Sequence, residues 1–232
     1  MRNLWSRRSL LRAGIVTAGG AALAACAGAT TPAPASQPEA TTAPAAEAPD
    51  KKVERLSAEV LARIKADPEI RSGNLDRVSQ FVDEMIMPAV DFTRMTALSV
   101  GRGWREATAE QREQLVEQFR TLLLRTYSGA LSEVRDQSIR MKPMRADPAD
   151  KDVIVRSEVI GHGTEPIQLD YRMRLTDDTW KIYDINVLGV WLVETYRNQF
   201  APIVSQGGID GLIQSLRERN SRGGTEPPPA KG

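Results

Sequence analysis

The stretch that decides the fold runs from Trp180 to Asn220 and reads WKIYDINVLGVWLVETYRNQFAPIVSQGGIDGLIQSLRERN. Its first part, Trp180 to Leu188, is rich in β-branched and aromatic residues, which is typical of a β-strand. Apolar residues then recur at three- and four-residue steps, as on one buried helix face, at Leu192, Val193, Tyr196, Phe200 and Val204. The pair Gly207-Gly208 can end that helix. A second apolar stripe follows at Ile209, Leu212, Ile213 and Leu216. The stretch therefore predicts a strand and two helices, and it contains no nucleophile, metal set or phosphate loop.

The residues before Trp180 predict further strands, because their apolar period is two. Val153, Val155 and Val159 indicate one strand. In the next, Leu169, Tyr171, Met173 and Leu175 alternate with Gln168, Asp170, Arg172 and Arg174. This alternation predicts one dry face and one wet face. Asp177-Asp178 then makes a turn into the Trp180 strand, so the sheet is antiparallel.

Helices are predicted for the first half of the domain. Ser57 can cap a helix that ends before Asp67-Pro68, and Asn74 can cap a second that stops at Pro88. Asp91 can start a third, broken at Gly101. Thr108 and Gln111 form a capping box for a long helix with apolar residues at Leu115, Phe119, Leu122, Leu123, Tyr127, Ala130 and Leu131. Helices followed by an antiparallel sheet predict an α+β fold with the helices on one sheet face.

Outside this domain the chain consists of processing and linker segments. Residues 1–25 predict a signal peptide with a twin-arginine motif around Arg7-Arg8 and a lipobox that ends at Cys26. Cys26 is the only cysteine and the predicted lipidation site; an ordinary cleaved signal is the alternative. Residues 26–50 predict a disordered Ala/Pro/Thr-rich linker, residues 51–220 the folded domain, and residues 221–232 a disordered tail.

Composition excludes several function classes. The formal net charge is +1, and removal of residues 1–25 takes away four arginines and no acid, which leaves −3. A mildly acidic mature chain argues against a nucleic-acid partner. One cysteine excludes an internal disulfide framework and a multi-cysteine metal site. No P-loop motif is present, and the sequence predicts no metal and no cofactor.

Several pieces of the sequence resemble the MlaC family of periplasmic phospholipid-binding proteins, once called toluene-tolerance auxiliary proteins. The resemblance spans roughly residues 74–220. It rests on Trp180 to Asp184, Tyr196 to Phe200, Gly207 to Ile213, Gly101 to Arg105, Ala107 to Gln111, Phe119 and Arg125 to Tyr127. Trp191 departs from the family pattern, where a small polar residue is more usual. A lipidated Cys26 would be a second departure, because the family's members are soluble shuttles.

The resemblance implies a curved, mostly antiparallel sheet clasped by helices around an apolar cavity, akin to NTF2-like and cystatin-like folds. It implies a periplasmic carrier that is not an enzyme. Such a carrier moves phospholipid between an outer-membrane lipoprotein complex and an inner-membrane ABC transporter complex with a substrate-binding MCE-type subunit, and so maintains outer-membrane lipid asymmetry. A membrane anchor at Cys26 would hold it beside one membrane.

The candidate lipid-binding residues are apolar side chains that periodicity alone would assign to an ordinary core. The resemblance favours a cavity wall for the set, which is Met85, Phe119, Leu122, Leu123, Val155, Leu169, Tyr171, Met173, Ile182, Ile185, Val193 and Tyr196. Arg197 could touch a lipid phosphate, or pair with Glu194 or a helix-end carbonyl. Asp184 could be a general base, or a polar anchor for a helix N-terminus, which the sequence favours.

Three alternatives stay open beside the phospholipid carrier. One is a carrier of hopanoid or sterol-like lipid. Another is an NTF2-like isomerase-type enzyme, which would need a buried acid in a small closed cavity. The last is a structural lipoprotein with a filled core and no ligand.

Overall fold

The fold is seen in a computed structural model, which describes residues 47–144, 147, 149–161 and 165–222. The predicted signal peptide, Cys26, most of the predicted linker and the tail from residue 223 onward lie outside these residues. No helix in the described part of the chain is long and apolar enough to cross a membrane.

Seven helices and five strands follow one another along the described chain. The helices of the first half are α1 (Pro49–Ala66), α2 (Pro68–Arg71), α3 (Leu75–Phe81), α4 (Phe92–Val100), α5 (Gly103–Glu106) and α6 (Ala109–Ser132). A π-turn (Val82–Ile86) and a 3₁₀ turn (Met87–Ala89) continue α3. The strands are β1 (Ser138–Met141), β2 (Asp152–Ile160), β3 (Ile167–Thr176), β4 (Thr179–Val187) and β5 (Val190–Trp191), and α7 (Leu192–Ser221) ends the domain. The predicted α+β class is confirmed.

Capping side chains fix where most of these helices begin. Asn74 accepts hydrogen bonds from the N–H groups of residues 76 and 77, and Asp91 accepts one from that of residue 94. Thr108 and Gln111 form the predicted capping box at the start of α6. These caps satisfy N–H groups that have no partner inside the helix.

The predicted start of α1 is wrong. The helix begins at Pro49, two turns before Ser57, and includes two residues that the sequence assigned to the linker. Proline is well tolerated in the first helical turn, where its missing N–H leaves no bond unmade. Ser57 instead lies inside the helix, beside Tyr171 of β3. The predicted end of the helix, before Asp67-Pro68, is confirmed.

The sheet is an antiparallel meander in the order β1-β2-β3-β4-β5. Its inner face, defined as the face toward the helices, carries Val155, Tyr171 and Ile185 in one cross-strand row. The register shifts between Arg172 and Met173, which pair with Asp184 and Ile182, so that Tyr183 has no partner on β3. This β-bulge gives Ile182 and Ile185 the same face although they are three residues apart.

One residue of the predicted wet face is buried. Asp170 is only 3% exposed. Its carboxylate accepts a hydrogen bond from the Gln168 amide at 2.6 Å, and Arg156 and Asn186 flank it on the adjacent strands. Strand alternation predicts which face a side chain takes, but not how completely its neighbours cover it.

The last helix is bent where the sequence predicted a break. Gly208 adopts φ 64° and ψ −161°, which is not helical, and the helix resumes at Ile209. The second segment lies against α6, where Gln111 donates a hydrogen bond to Asp210 at 2.7 Å. Asp210 therefore joins two helices through its side chain.

Gly103 lies where α5 meets this bend, and a side chain there would collide with α7. A Cβ at this position would lie 2.8 Å from Ile209 Cδ1 and 3.0 Å from Val204 Cγ1. We expect Gly103→Ala to lower the free energy of unfolding by about 1–2 kcal/mol, because the core must shift to admit the methyl group. Urea denaturation measures this change.

The matched control is Gly129→Ala on the exposed side of α6, where a Cβ would meet nothing within 4 Å. Alanine in a helix interior is favoured over glycine, so this variant should be about 0.5–1 kcal/mol more stable than the parent. Equal effects of the two substitutions would contradict the close contact at Gly103.

Candidate functional site

The candidate site is the interior between the sheet and the helices, and two apolar clusters form its opposite walls. We call the first the sheet cluster: it is centred on β2, β3 and β4 and includes Val53 of α1. The second, the helix cluster, is formed by α4, α6 and α7. Ile185 and Val90 pack against both clusters, so they mark the junction where the two walls meet.

The structure distributes the predicted lipid-binding residues over these walls. Val155, Leu169, Tyr171, Met173 and Ile182 belong to the sheet cluster. Phe119, Leu122, Leu123, Val193 and Tyr196 belong to the helix cluster, and Ile185 belongs to both. Met85 packs in a third cluster, formed by α1, α2, α3 and the π-turn. Arg197 lies outside all three.

Aromatic rings form the centre of the helix cluster. The Phe119 ring lies 4.9 Å from that of Tyr196 and 5.4 Å from that of Phe200, both edge to face, and 5.7 Å from that of Phe92. Such contacts add about 0.5–1.5 kcal/mol each to the free energy gained from burial. Phe119 is thus a fixed part of the core and forms the base of this wall.

Buried hydroxyls lie within both walls. The Tyr127 and Tyr196 side chains interact between α6 and α7, and burial raises the pKa of each. Burial also raises the pKa of Tyr171, whose side chain lies beside Ser57 and Ser157. These phenols stay neutral and join helices to one another and to the sheet.

Several apolar side chains that pack against the clusters are only half-buried. Leu123, Tyr127 and Met87 pack against the helix cluster in this way, and Leu56 and Leu169 against the sheet cluster. Met85 and Ile86 do the same in the third cluster. A methionine and a π-turn can change shape more readily than a regular helix packed with branched side chains. The walls therefore combine a rigid aromatic base with adaptable parts.

Asp184 anchors the N-terminus of α7, as the sequence favoured. Its carboxylate is fully buried and accepts hydrogen bonds from the Val193 and Ile185 N–H groups at 3.0 and 2.9 Å. The second oxygen accepts one from Arg172 Nη1 at 2.9 Å. Burial raises the pKa of Asp184, while these donors lower it. A carboxylate committed to three donors on the outer side of the sheet does not face the apolar interior as a base would.

Arg172 joins Asp184 to the residue that departs from the family pattern. The guanidinium lies 3.9 Å from the centre of the Trp191 ring and also pairs with Asp184. Cation–π stacking holds both side chains against the outer face of the sheet. Trp191 thus supports the α7 N-terminus together with Asp184 and Arg172.

Arg197 is exposed and donates from Nε to the Leu98 carbonyl at 2.8 Å, near the end of α4. The sequence left three partners open for Arg197, and the structure shows the helix-end carbonyl. The contact ties α7 to α4 and complements the negative end of the α4 dipole. A role toward a lipid phosphate stays a prediction.

Sequence reasoning missed Val53 and Val90 as wall residues. Val53 is buried in the sheet cluster, and its signal was present, since Val53, Leu56 and Val60 recur at helical steps. Val90 forms a parallel bridge to Ile182 and covers the open edge of β4. Nothing local in the sequence indicates that bridge, because it joins segments about ninety residues apart.

A shallow pocket of about 160 Å³ lies on the outer face of the sheet, lined by Asp152, Val153, Ile154, Arg172 and Tyr183. Within the described residues no group of three or more His, Cys, Asp or Glu side chains could hold a metal ion. The apolar interior is thus the main candidate.

Comparison with known proteins agrees with this geometry. The family model described as "MlaC protein" matches residues 54–218. The toluene tolerance protein ttg2D of Pseudomonas putida is 27% identical over 167 residues, which cover 72% of this chain and 77% of that protein. The intermembrane phospholipid transport system binding protein MlaC of Haemophilus influenzae is 25% identical over 164 residues, 69% of this chain and 73% of that protein.

A solved structure is more similar still. It is a phospholipid-binding protein from Ralstonia solanacearum in complex with a phospholipid, with 49% sequence identity and a TM-score of 0.72. The match covers 75% of this chain and 97% of that one.

The role of Asp184 can be tested by two substitutions. Asp184→Ala removes the acceptor of two backbone N–H groups and the partner of Arg172, so we expect a loss of about 2–3 kcal/mol in the free energy of unfolding. Asp184→Asn keeps an acceptor for the α7 N-terminus and should cost less than about 1 kcal/mol at neutral pH. Urea denaturation of both variants measures the difference.

The direction of the pKa shift of Asp184 supports a small change in the free energy of unfolding for Asp184→Asn. Burial raises the pKa of Asp184 above that of an ordinary aspartate, so the folded protein binds this proton more tightly than the unfolded chain does. The contribution of the group to stability is therefore greatest at acid pH and falls as the pH rises through the folded pKa. A cost for Asp184→Asn that equals that of Asp184→Ala at pH 7 would contradict this account.

Proposed function

The chain belongs to the MlaC family, and from that premise we propose that it is a lipid carrier. The acyl chains of a phospholipid lie between the sheet cluster and the helix cluster, and the headgroup stays at the mouth. The observation that carries the proposal is the junction at Ile185 and Val90, which pack against both apolar clusters, together with the half-buried apolar side chains of each cluster. The relative from Ralstonia solanacearum, 49% identical, is described as bound to a phospholipid.

The energetic need for such an interior follows from the ligand. Each buried methylene is worth about 0.8 kcal/mol. A phospholipid with two chains has roughly thirty, so exposure of its tails to water costs on the order of 20 kcal/mol. Crossing an aqueous space therefore requires an apolar container. A wall with a fixed aromatic base and adaptable methionines can accept chains that differ in length.

Carriage of this kind needs binding but no catalysis. The best candidate for a general base, Asp184, is held by three donors in a structural role. We therefore infer that the protein is not an enzyme and that it loads and unloads lipid by contact.

The partners follow from the family. We propose that the protein works in the periplasm and exchanges phospholipid with an outer-membrane lipoprotein complex and with an inner-membrane ABC transporter complex that has an MCE-type subunit. The name of the Haemophilus influenzae relative, an intermembrane phospholipid transport system binding protein, supports this assignment. Lipidation of Cys26 would keep the domain beside one of the two membranes.

A substitution at the junction tests the binding site. We expect Ile185→Trp to place a larger side chain where the two walls meet and so to exclude acyl chains. Binding of a fluorescent phospholipid should weaken by about ten-fold or more. The measurement is a titration of delipidated protein.

Leu175→Trp is the matched control, because Leu175 is also half-buried on β3 but packs against the sheet cluster alone. This variant should bind like the parent, and the melting temperatures of both should be compared with that of the parent. Equal binding by the two variants would contradict a site at the junction, and binding of a sterol-like lipid in place of phospholipid would change the ligand class.

A further inference from the structure

The hairpin that joins β4 to β5 presents a leucine to solvent in an unfavourable backbone conformation. Its turn residues, Leu188 and Gly189, have φ values of 52° and 84°. A tight turn with two positive φ values strongly favours Asn-Gly, since a leucine side chain in the left-handed region is crowded by its own backbone. Asn186 stabilises the turn by accepting a hydrogen bond from Gly189 N–H at 2.9 Å. Turn geometry thus gives no reason for a leucine at this position.

Burial gives no reason either. Leu188 is 47% exposed, the most exposed large apolar side chain in the described part of the chain. The next, Ile167, is 41% exposed and lies beside it at the start of β3, where the Leu188 N–H donates to the Gln168 carbonyl at 3.1 Å. Val187 and Val190 pair at the base of the turn. We call these four residues, Ile167, Val187, Leu188 and Val190, the tip patch.

The tip patch is continuous with the proposed lipid site. Val187 is the cross-strand partner of Leu169, a half-buried member of the sheet cluster. Leu169 lies one step along the inner face from Tyr171, which pairs with Ile185 at the junction. Apolar side chains therefore run from the hairpin tip to the junction without a charged residue between them on that face.

From this continuity we propose that the tip patch inserts into the interfacial layer of a lipid bilayer while the carrier exchanges its ligand. The inference rests on the proposed function, because only a lipid carrier needs an apolar path between a bilayer and its interior. A lipid tail that follows this path stays in contact with apolar groups throughout. On this proposal, the Leu188 side chain serves to enter the bilayer, and its unfavourable backbone conformation lowers local stability.

The size and shape of the patch favour a bilayer over a protein partner. Ile167 and Leu188 expose on the order of 150 Å² of apolar surface together, whereas a stable protein complex buries roughly 800 Å² on each partner. The patch is also a protruding turn, which suits insertion between headgroups. Trp191 follows the patch directly, and an indole ring favours the headgroup region.

The test uses site-specific fluorescent labels, which Cys26 as the only cysteine makes simple. In the full chain with Cys26→Ser, Leu188→Cys and, separately, Leu75→Cys are labelled with the environment-sensitive dye NBD. Leu75 is the control, because it is an exposed leucine too, at 37%, but lies on α3. Vesicles of phosphatidylethanolamine and phosphatidylglycerol are then added.

We expect the label at position 188 to shift to the blue and brighten on vesicles, and the label at position 75 to stay unchanged. Unchanged emission at position 188 would overturn the inference, and a protein partner would then be the expected occupant of the patch. Equal changes at both positions would overturn it too, because they would indicate adsorption of the whole chain.

A second variant separates this role from folding. Leu188→Asn suits the turn, so it should raise the melting temperature. It should also slow lipid transfer to vesicles by about ten-fold, the factor expected when one leucine no longer enters the bilayer. Unchanged transfer would contradict the inference.

The amount of lipid bound to the purified parent distinguishes the two proposals. If the purified parent holds no lipid, the proposed function is contradicted, whatever the fluorescence at position 188. If the parent holds lipid but the emission of the label at position 188 does not change on vesicles, only the bilayer insertion of the tip patch is contradicted.

Discussion

The arrangement of the domain depends on the β-bulge in β4. Without it, strict alternation would place Ile182 and Ile185 on opposite faces of the sheet. Because Tyr183 is the extra residue, both isoleucines face the helices, while Asp184 pairs with Arg172 and takes the outer face. One irregularity thus gives β4 an apolar inner face along its length and a buried acceptor on the other side.

That acceptor determines where the last helix begins. Asp184 receives the Val193 N–H, so α7 starts directly against β4, and Val193 and Tyr196 enter the helix cluster. Arg197 then fastens the same turn to the end of α4. These polar contacts are therefore structural, since they position the apolar walls.

Much of this fold could be predicted from the sequence because its signals are local. The caps at Asn74, Asp91 and Thr108, the turn at Asp177-Asp178 and the bend at Gly208 are each set by a few neighbouring residues. The start of α1 was missed because a proline- and alanine-rich stretch resembles a linker, whereas tertiary packing of Val53 helps to stabilise its first turns. The assignment of the predicted residues to separate walls, and the bridge from Val90 to Ile182, depend on long-range contacts that periodicity does not encode.

The central claim is that the interior between the two walls holds the tails of a lipid. Native mass spectrometry of the processed protein, purified from a bacterial periplasm without added lipid, tests it most directly. The account predicts a complex with about one phospholipid per protein, released and identified by organic extraction. Protein that is reproducibly empty, and that takes up no phospholipid when it is offered, would contradict the account.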